Sequence, residues 1–348
     1  MRTGIVLLNF GEPEVATPAA VIPYLERIFW INSSLEEGTS EEERRRHGRE
    51  LAARRAPGLI AEYERIGGSP LNRQASAQAD ALRAELRDRG FRVATYVGMQ
   101  FTEPSIRSAV RRANAEGIRR LVGLPVYPLC GASTTVAALA ELAAAVREVA
   151  AGIELFEVSG WHTHPGYVRL RADGIRAFAA ASDLDLRDEE TLLYFSAHGT
   201  PLRYLAGGVP YDRYVEESCR LVAEALGVDR YVIGFQNHGN RNIPWTQPDN
   251  EHLIACIEAA RIVVVPISFM HEQSETLAEL DLELRAEAEE RGLAFHRVPV
   301  PHDDPRFAAV LAELVLPFLD GRDPGAAGLG PCRCRAGHGT LCLNARRA

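Results

Sequence analysis

Short runs of apolar, β-branched residues alternate along this chain with longer stretches in which apolar residues recur every three to four positions. The first pattern predicts strands buried on both faces and the second predicts amphipathic helices. Their alternation is the signature of parallel sheets with crossover helices. Strands are predicted at 4–9, 92–98, 119–124, 191–196, 231–235 and 262–267, and helices at 75–89, 136–149, 215–226 and 275–291.

The pattern also repeats. Phe10-Gly11-Glu12-Pro13 aligns with His198-Gly199-Thr200-Pro201, Tyr96-Val97-Gly98-Met99-Gln100 with Val232-Ile233-Gly234-Phe235-Gln236, and residues 125–135 with 266–276. The fold class is therefore α/β, with two similar Rossmann-like domains, each a parallel sheet flanked by helices. The predicted division is 1–160, 161–320 and a flexible cysteine-containing tail at 321–348, with the seam between 155 and 185. Ligands of open parallel sheets bind outside the carboxyl ends of the strands. The two halves should face a common cleft, the first offering Phe10, Gln100 and Tyr127, the second His198, Gln236 and Glu275.

The 348 residues and a net charge of −8 exclude little about the fold but argue against nucleic acid as a partner, which needs clustered Lys and Arg. The first apolar run is too short for a signal peptide, and no run approaches the roughly 20 residues that cross a bilayer. A cytoplasmic protein is expected. Val21-Ile22-Pro23-Tyr24-Leu25 and Ile28-Phe29-Trp30-Ile31 leave peripheral membrane contact open, although covering a core or lining a pocket is the ordinary fate of such residues.

His198 ends an apolar strand, where an imidazole can accept a proton or coordinate a metal near neutral pH. Glu272, Glu275, Glu279 and Glu283 recur at helical spacing as a carboxylate stripe. A solvated helix face is the plain reading of such a stripe. Beside a cleft, crowded carboxylates raise one another's pKa and hold protons or divalent cations. Gly67-Gly68-Ser69-Pro70-Leu71 precedes a helix and suits either a tight turn or an anion, and no phosphate-binding glycine motif follows a strand.

Taken in order, Gly4-Ile5-Val6-Leu7-Leu8-Asn9-Phe10-Gly11-Glu12-Pro13-Glu14, the Gly67 to Leu71 turn, Ser196-Ala197-His198-Gly199-Thr200-Pro201, Phe235-Gln236, Trp245-Thr246-Gln247-Pro248 and Ser274-Glu275-Thr276-Leu277-Ala278-Glu279-Leu280-Asp281 resemble ferrochelatase. The resemblance covers residues 4–320. It implies a chelatase fold and a lyase of haem biosynthesis that inserts Fe(II), its metal substrate, into a porphyrin, protoporphyrin IX or coproporphyrin III, with release of two protons. It implies that His198 and Glu275 face the metal, that Glu279 assists them, and that Trp245 joins the substrate-binding residues. Two positions depart from the family pattern. Gln273 stands where histidine is frequent, so that His271 substitutes only if it turns inward, and residues 237–241 replace a more usual Ser-Arg.

Cys332, Cys334 and Cys342 form a C-x-C-x₇-C pattern in the tail, and in a reducing compartment metal or cluster ligation outranks disulfides. Some ferrochelatases carry a C-terminal [2Fe–2S] cluster. The resemblance implies one here, with Cys130 as fourth ligand; a zinc site completed by His338 and a ligand-free tail are the alternatives. Two further functional readings are a chelatase for another tetrapyrrole and a non-catalytic porphyrin or haem carrier.

Overall fold

A computed structural model of the chain describes residues 2–32, 40–237, 243–319, 334 and 340–343. Its first sheet has the order β2-β1-β3-β4-β9, from Ala94–Met99, Thr3–Asn9, Arg120–Pro125, Glu154–Val158 and Thr340–Leu341. The second has the order β6-β5-β7-β8, from Tyr231–Gln236, Thr191–His198, Arg261–Pro266 and Ala294–Arg297. All pairings are parallel, with Leu8 opposite Gly98 and Pro125 in one sheet and Ser196 opposite Gly234 and Pro266 in the other. Without β9 the two orders are the same, so the sequence repeat is a structural one.

β1 and β7 are buried along most of their length, as expected of central parallel strands covered on both faces. The predicted strand ends fall within two residues of those observed. β4 and β8 were not predicted. Each is an edge strand of its repeat carrying charge, Glu154 and Glu157 in one and Arg297 in the other, which dilutes the apolar signal.

The flanking helices are α1 (Pro18–Asn32), α2 (Glu41–Ile66), α3 (Leu71–Asp88), α4 (Ile106–Ala115), α5 (Ala137–Val149), α6 (Pro165–Ala181), α7 (Leu202–Ala206), α8 (Tyr211–Leu226), α9 (Asn250–Ile254), α10 (Arg285–Glu290) and α11 (Pro305–Leu319). α1 and α2 lie against one another, α2 also touching the segment 275–284 of the second half, and had no counterpart in the sequence reading. α2 opens with a capping box, in which Ser40 and Glu43 satisfy each other's backbone N–H groups.

The segment read as one helix over 275–291 is a π-helix, Glu275–Leu284, followed by α10. The repeat-matched position in the first half, Ala132–Val136, is also π-helical. α11 follows the second sheet in sequence but packs on the first, where Phe307, Leu311 and Phe318 join Ile5, Leu7, Val122 and Leu124 in one core.

Candidate active site

The carboxyl ends of the two sheets open onto one cleft. An inner chamber of about 740 Å³ is lined by Phe10, Tyr127, Tyr211, Met270, Gln273, His198 and Glu275, among others. An outer cavity of about 1130 Å³ shares Phe10, His198 and Glu275 and adds Tyr24, Phe29, Arg55, Glu62, Trp245 and Glu279. Concavities that are mostly apolar with a few convergent polar groups are typical ligand sites. The apolar residues of α1 named above as pocket or membrane candidates are partly placed by this: Leu25, Ile28 and Phe29 line the outer cavity.

His198 is the last residue of β5. Its backbone N–H donates to Ser268 Oγ at 3.0 Å, and that oxygen lies 2.9 Å from the Tyr211 hydroxyl, so the two strand exits are tied together. The next residue must be small, because a Cβ on Gly199 would lie 2.7 Å from the Gln236 carbonyl oxygen. The imidazole leans edge-on to Phe269 and brings Nδ1 to 3.6 Å from Glu275 Oε1. Two residues on different strand exits thus meet at the centre of the cleft.

Glu275 begins the π-helix. The wider π turn brings residues four apart closer to vertical alignment than a 3.6-residue turn does, so Glu275 and Glu279 stand one above the other. Gln236 holds both, donating through Nε2 to the Glu275 carbonyl and to Glu279 Oε2, each at 2.9 Å. Gln236 is itself fixed by Ser196, and Ser196 by Asn250. Gln273 donates to Glu275 Oε2.

Burial raises the Glu275 carboxyl well above the ordinary range, and the charges of Glu279, Glu12 and Glu62 add to the effect. Glu279 is pushed up to about 8, first by burial and then by Glu62, Glu283 and Glu12. Glu62, on α2, is raised to about 7 for similar reasons. A row of carboxyl groups that hold protons near neutral pH therefore runs from the cleft toward α2.

Glu272 leaves this row. Its carboxylate accepts from Arg297 Nη1 at 2.9 Å, from the Thr276 hydroxyl and from the Val300 N–H, and Arg297 also grips Asp281 through two bonds of 2.6 and 2.7 Å. Glu272 lies in the loop ahead of the π-helix, so it falls off the line that α-helical spacing drew through it. Glu283, at the outer end, is half exposed and 3.7 Å from Arg65.

Of the remaining predicted residues, Phe10 packs at a tilt of 51° against Phe101 at the cleft wall, ring centres 4.3 Å apart, and Trp245 lines the outer cavity. Tyr127 lines the inner chamber and donates to Gln100 Oε1 at 3.3 Å. Gln100 is buried and donates to the Ser133 carbonyl, and Gln236 is buried under the two glutamates, so both glutamines act on groups of the cleft wall. His271 reaches the inner chamber, where burial depresses its pKa to about 3 and its Nε2 has no hydrogen-bond partner among the described residues. Glu12, Glu62 and Arg55 were not anticipated. Glu12 lies two residues beyond Phe10 at the same strand exit, a signal that the repeat already contained.

The cysteines share a neighbourhood. Cys130 Sγ is 3.5 Å from Ser159 Oγ, Cys342 follows β9 beside Gly160, and Cys334 Sγ is 3.2 Å from the Tyr214 hydroxyl. Burial and then all three thiols, Cys334 foremost, raise the Tyr214 phenol. Cys332 and His338 lie outside the described residues. Among the described residues no three His, Cys, Asp or Glu side chains are gathered tightly enough to hold a metal ion. Also among them, no helix is long and apolar enough to cross a membrane.

Residues 2–318 match the family model for ferrochelatase. The chain belongs to the ferrochelatase family. It is 36% identical over 330 residues to the ferrochelatase of Synechococcus sp. (strain JA-3-3Ab), covering 91% of this chain and 94% of that one. Against the ferrochelatase of Thermosynechococcus vestitus it is 34% identical over 336 residues, covering 90% and 81%. Its fold resembles SirB from Bacillus subtilis, solved with Fe3+, at a TM-score of 0.55 and 9% identity over 94% of this chain and 98% of that one. A multi-domain Deinococcus radiodurans protein with structural similarity to chelatases aligns at a TM-score of 0.51 and 16% identity, over 92% of this chain and 56% of that one. These likenesses agree with the chelatase fold expected from the motifs.

Proposed function

We propose that His198 and Glu275 form the metallation centre of this ferrochelatase, with Glu279 as the next group in a proton relay. The protein is a lyase of haem biosynthesis that inserts Fe(II) into a porphyrin. Two pyrrole protons must leave as the metal enters, so the enzyme needs groups that take protons within reach of the macrocycle and pass them on. The observation that carries the reading is the meeting of His198 and Glu275 at 3.6 Å, from two different strands' exits, inside a cleft whose wall includes Phe10, Leu71, Val126, Tyr127, Phe269 and Met270. His198 supplies an imidazole nitrogen to the cleft. Glu275 and Glu279, crowded and desolvated, exchange protons at neutral pH, where isolated carboxylates would stay ionised. An incoming cation favours their ionised forms and so drives protons outward along the row.

Phe10, Tyr127 and Trp245 would contact the macrocycle, while Gln100 and Gln236 hold the walls behind it. Arg55 at the mouth suits a propionate, as both protoporphyrin IX and coproporphyrin III carry. The same reading assigns residues 1–160 to a porphyrin-binding lobe, 161–320 to a catalytic lobe and 321–348 to a tail, and it places the enzyme in the cytoplasm. A carrier has no use for a row of proton-holding carboxylates, which favours turnover over storage.

The test is His198→Ala under anaerobic conditions with Fe(II), following the change from free-base to metallated spectrum. Turnover should fall by about 10²-fold or more, while the folded state is retained because His198 is part of neither core. Near-normal turnover would remove His198 from the centre.

We further propose that Cys130, Cys332, Cys334 and Cys342 hold a [2Fe–2S] cluster. Soft thiols suit that group, and Cys130 beside Ser159, with Cys342 next to the Leu343 that donates to Gly160, brings two of them to neighbouring residues. When bound, such a cluster supplies a redox-sensitive clasp between the tail and the first sheet. Anaerobically purified protein should contain acid-labile sulfide and a visible chromophore, and Cys334→Ser should bleach it; colourless protein without sulfide refutes the assignment.

A further inference from the structure

The Glu12 side chain lies at the exit of β1 and faces the opposite half of the molecule. Although a glutamate, it is only 2% exposed. Its backbone is fixed from both sides by Asn72, whose Oδ1 accepts from the Glu12 N–H at 3.1 Å and whose Nδ2 donates to the Glu12 carbonyl at 2.8 Å. Gly11, at φ 83°, turns the chain into this position in a conformation that suits glycine. The carboxylate then accepts three hydrogen bonds. One comes from the Ser69 hydroxyl in the Gly67 to Leu71 turn of the same half, and two come from Ser274 of the other half, its hydroxyl at 2.5 Å and its N–H at 3.2 Å.

Ser274 is the residue on which the π-helix starts, and Glu275 is the next. One buried carboxylate therefore joins two loops of the first half to the residue that launches the metallation glutamate. Burying such a group is costly unless every oxygen is satisfied, and here both are. In the turn at 67–71 the Ser69 hydroxyl accepts from the Leu71 N–H at 3.3 Å, at the start of α3, and donates to Glu12.

We infer that Glu12 is a positioning residue of the metallation reaction, a clamp that fixes Ser274 against the first half and thereby sets where Glu275 stands relative to the porphyrin face. This rests on the reading of Glu275 as a group of the reacting centre. The clamp acts across the cleft: if it is released, the start of the π-helix is no longer tied to the first half, which carries part of the porphyrin wall. Errors of about 1 Å in the placement of a reacting group are enough to cost about 10²-fold in rate. The role depends on hydrogen-bond geometry rather than on charge. An amide at position 12 can keep the Ser274 N–H on its oxygen and donate to the Ser274 hydroxyl, which turns to accept.

The experiment compares E12A, E12Q, S274A, the double variant E12A/S274A and E275Q, each assayed for kcat and for the KM of porphyrin and of Fe(II). The expected result is a loss in kcat of at least about tenfold for E12A with the porphyrin KM unchanged, and recovery to within about threefold of the parent in E12Q. The double variant should be no worse than E12A, because both changes release the same contact. S274A, which removes one hydroxyl, carries the test if E12A does not fold, and should lower kcat without moving the porphyrin KM. Additive losses, equal damage in E12Q and E12A, or a change in porphyrin KM alone would each overturn the inference. Should E12A or S274A turn over normally while E275Q is inactive, the clamp fails and the centre stands. If E275Q is itself active, the reading of the centre fails first.

Discussion

At the scale of single residues, the cleft is organised by carboxyl groups placed where water cannot hold their charge. Glu279 illustrates the consequence. Its carboxyl, ordinarily near 4.5, is lifted to about 8 by burial and by its acidic neighbours. Between those two values the folded chain binds a proton that the unfolded chain does not, so the stability contributed at this position falls as the pH rises through that window. Glu279→Gln removes the titration. The variant should melt higher than the parent at pH 9 by at least about 2 °C and show a smaller difference at pH 5, measured by calorimetry in matched buffers. In the assay the parent's kcat/KM should rise as pH passes about 8, where Glu279 becomes a base, and the variant should lose that limb, while Glu275→Gln stays low throughout. Unchanged pH profiles for both would reduce the row to inert polar lining. The meeting of His198 and Glu275 was legible in the sequence because His198 ends one strand and Glu275 opens the helical segment that follows another, both in a repeated pattern. Glu12 was passed over because Gly11-Glu12-Pro13 reads as an ordinary turn, and nothing local announces that its carboxylate will be enclosed.

At the scale of elements, the π-helix is the feature that spacing alone misdescribed. Acidic residues three and four apart predict one stripe on an α-helix, but only Glu275 and Glu279 stay in line on the wider turn, while Glu272 stands in the loop ahead of the helix and turns into Arg297. Arg297 is nearly buried and ties Glu272, three residues ahead of the first residue of the π-helix, to Asp281 well within it. The unusual helix is thus held open by an ion-pair staple on its far side. Arg297→Met keeps the aliphatic volume and strands two carboxylates, which should cost roughly 3 kcal/mol of stability and, by letting the segment rewind, lower turnover with little effect on porphyrin binding. Denaturant melts with kinetic constants check both; stability unchanged from the parent would show that the staple does not hold the helix. The strands of apolar, β-branched runs were readable because burial on both faces leaves no room for polar residues. β4 and β8 were not, since edge strands admit charge, and α2 was missed because its buried positions are largely small residues, Gly48, Ala52 and Ala56, among many charges.

At the scale of the whole molecule, the sequence repeat implies two units that fold alike, yet the packing ties them together. α6 gives Tyr167 and Leu170 to the core of the first sheet and Ala172 and Ile175 to that of the second. α11, last of the second half, lays Phe307 against Trp161 at 6.4 Å and Phe318 against Phe156 at 5.3 Å, closing the core beneath the first sheet. The first half cannot bury its own apolar face without a helix encoded after residue 300, and the cleft lies between surfaces that this exchange holds in place. Calorimetry should therefore give one cooperative transition for the chain, not one for each half. Phe307→Ala, which empties a fully buried site, should cost about 3–5 kcal/mol and lower that single transition as a unit. It should also weaken metallation beyond what stability explains, because Phe307 packs 6.4 Å from the ring of His271 on the wall of the inner chamber. Two resolved transitions, with only one displaced by the substitution, would mean that each half is stable by itself and that the cleft is a hinge between independent bodies.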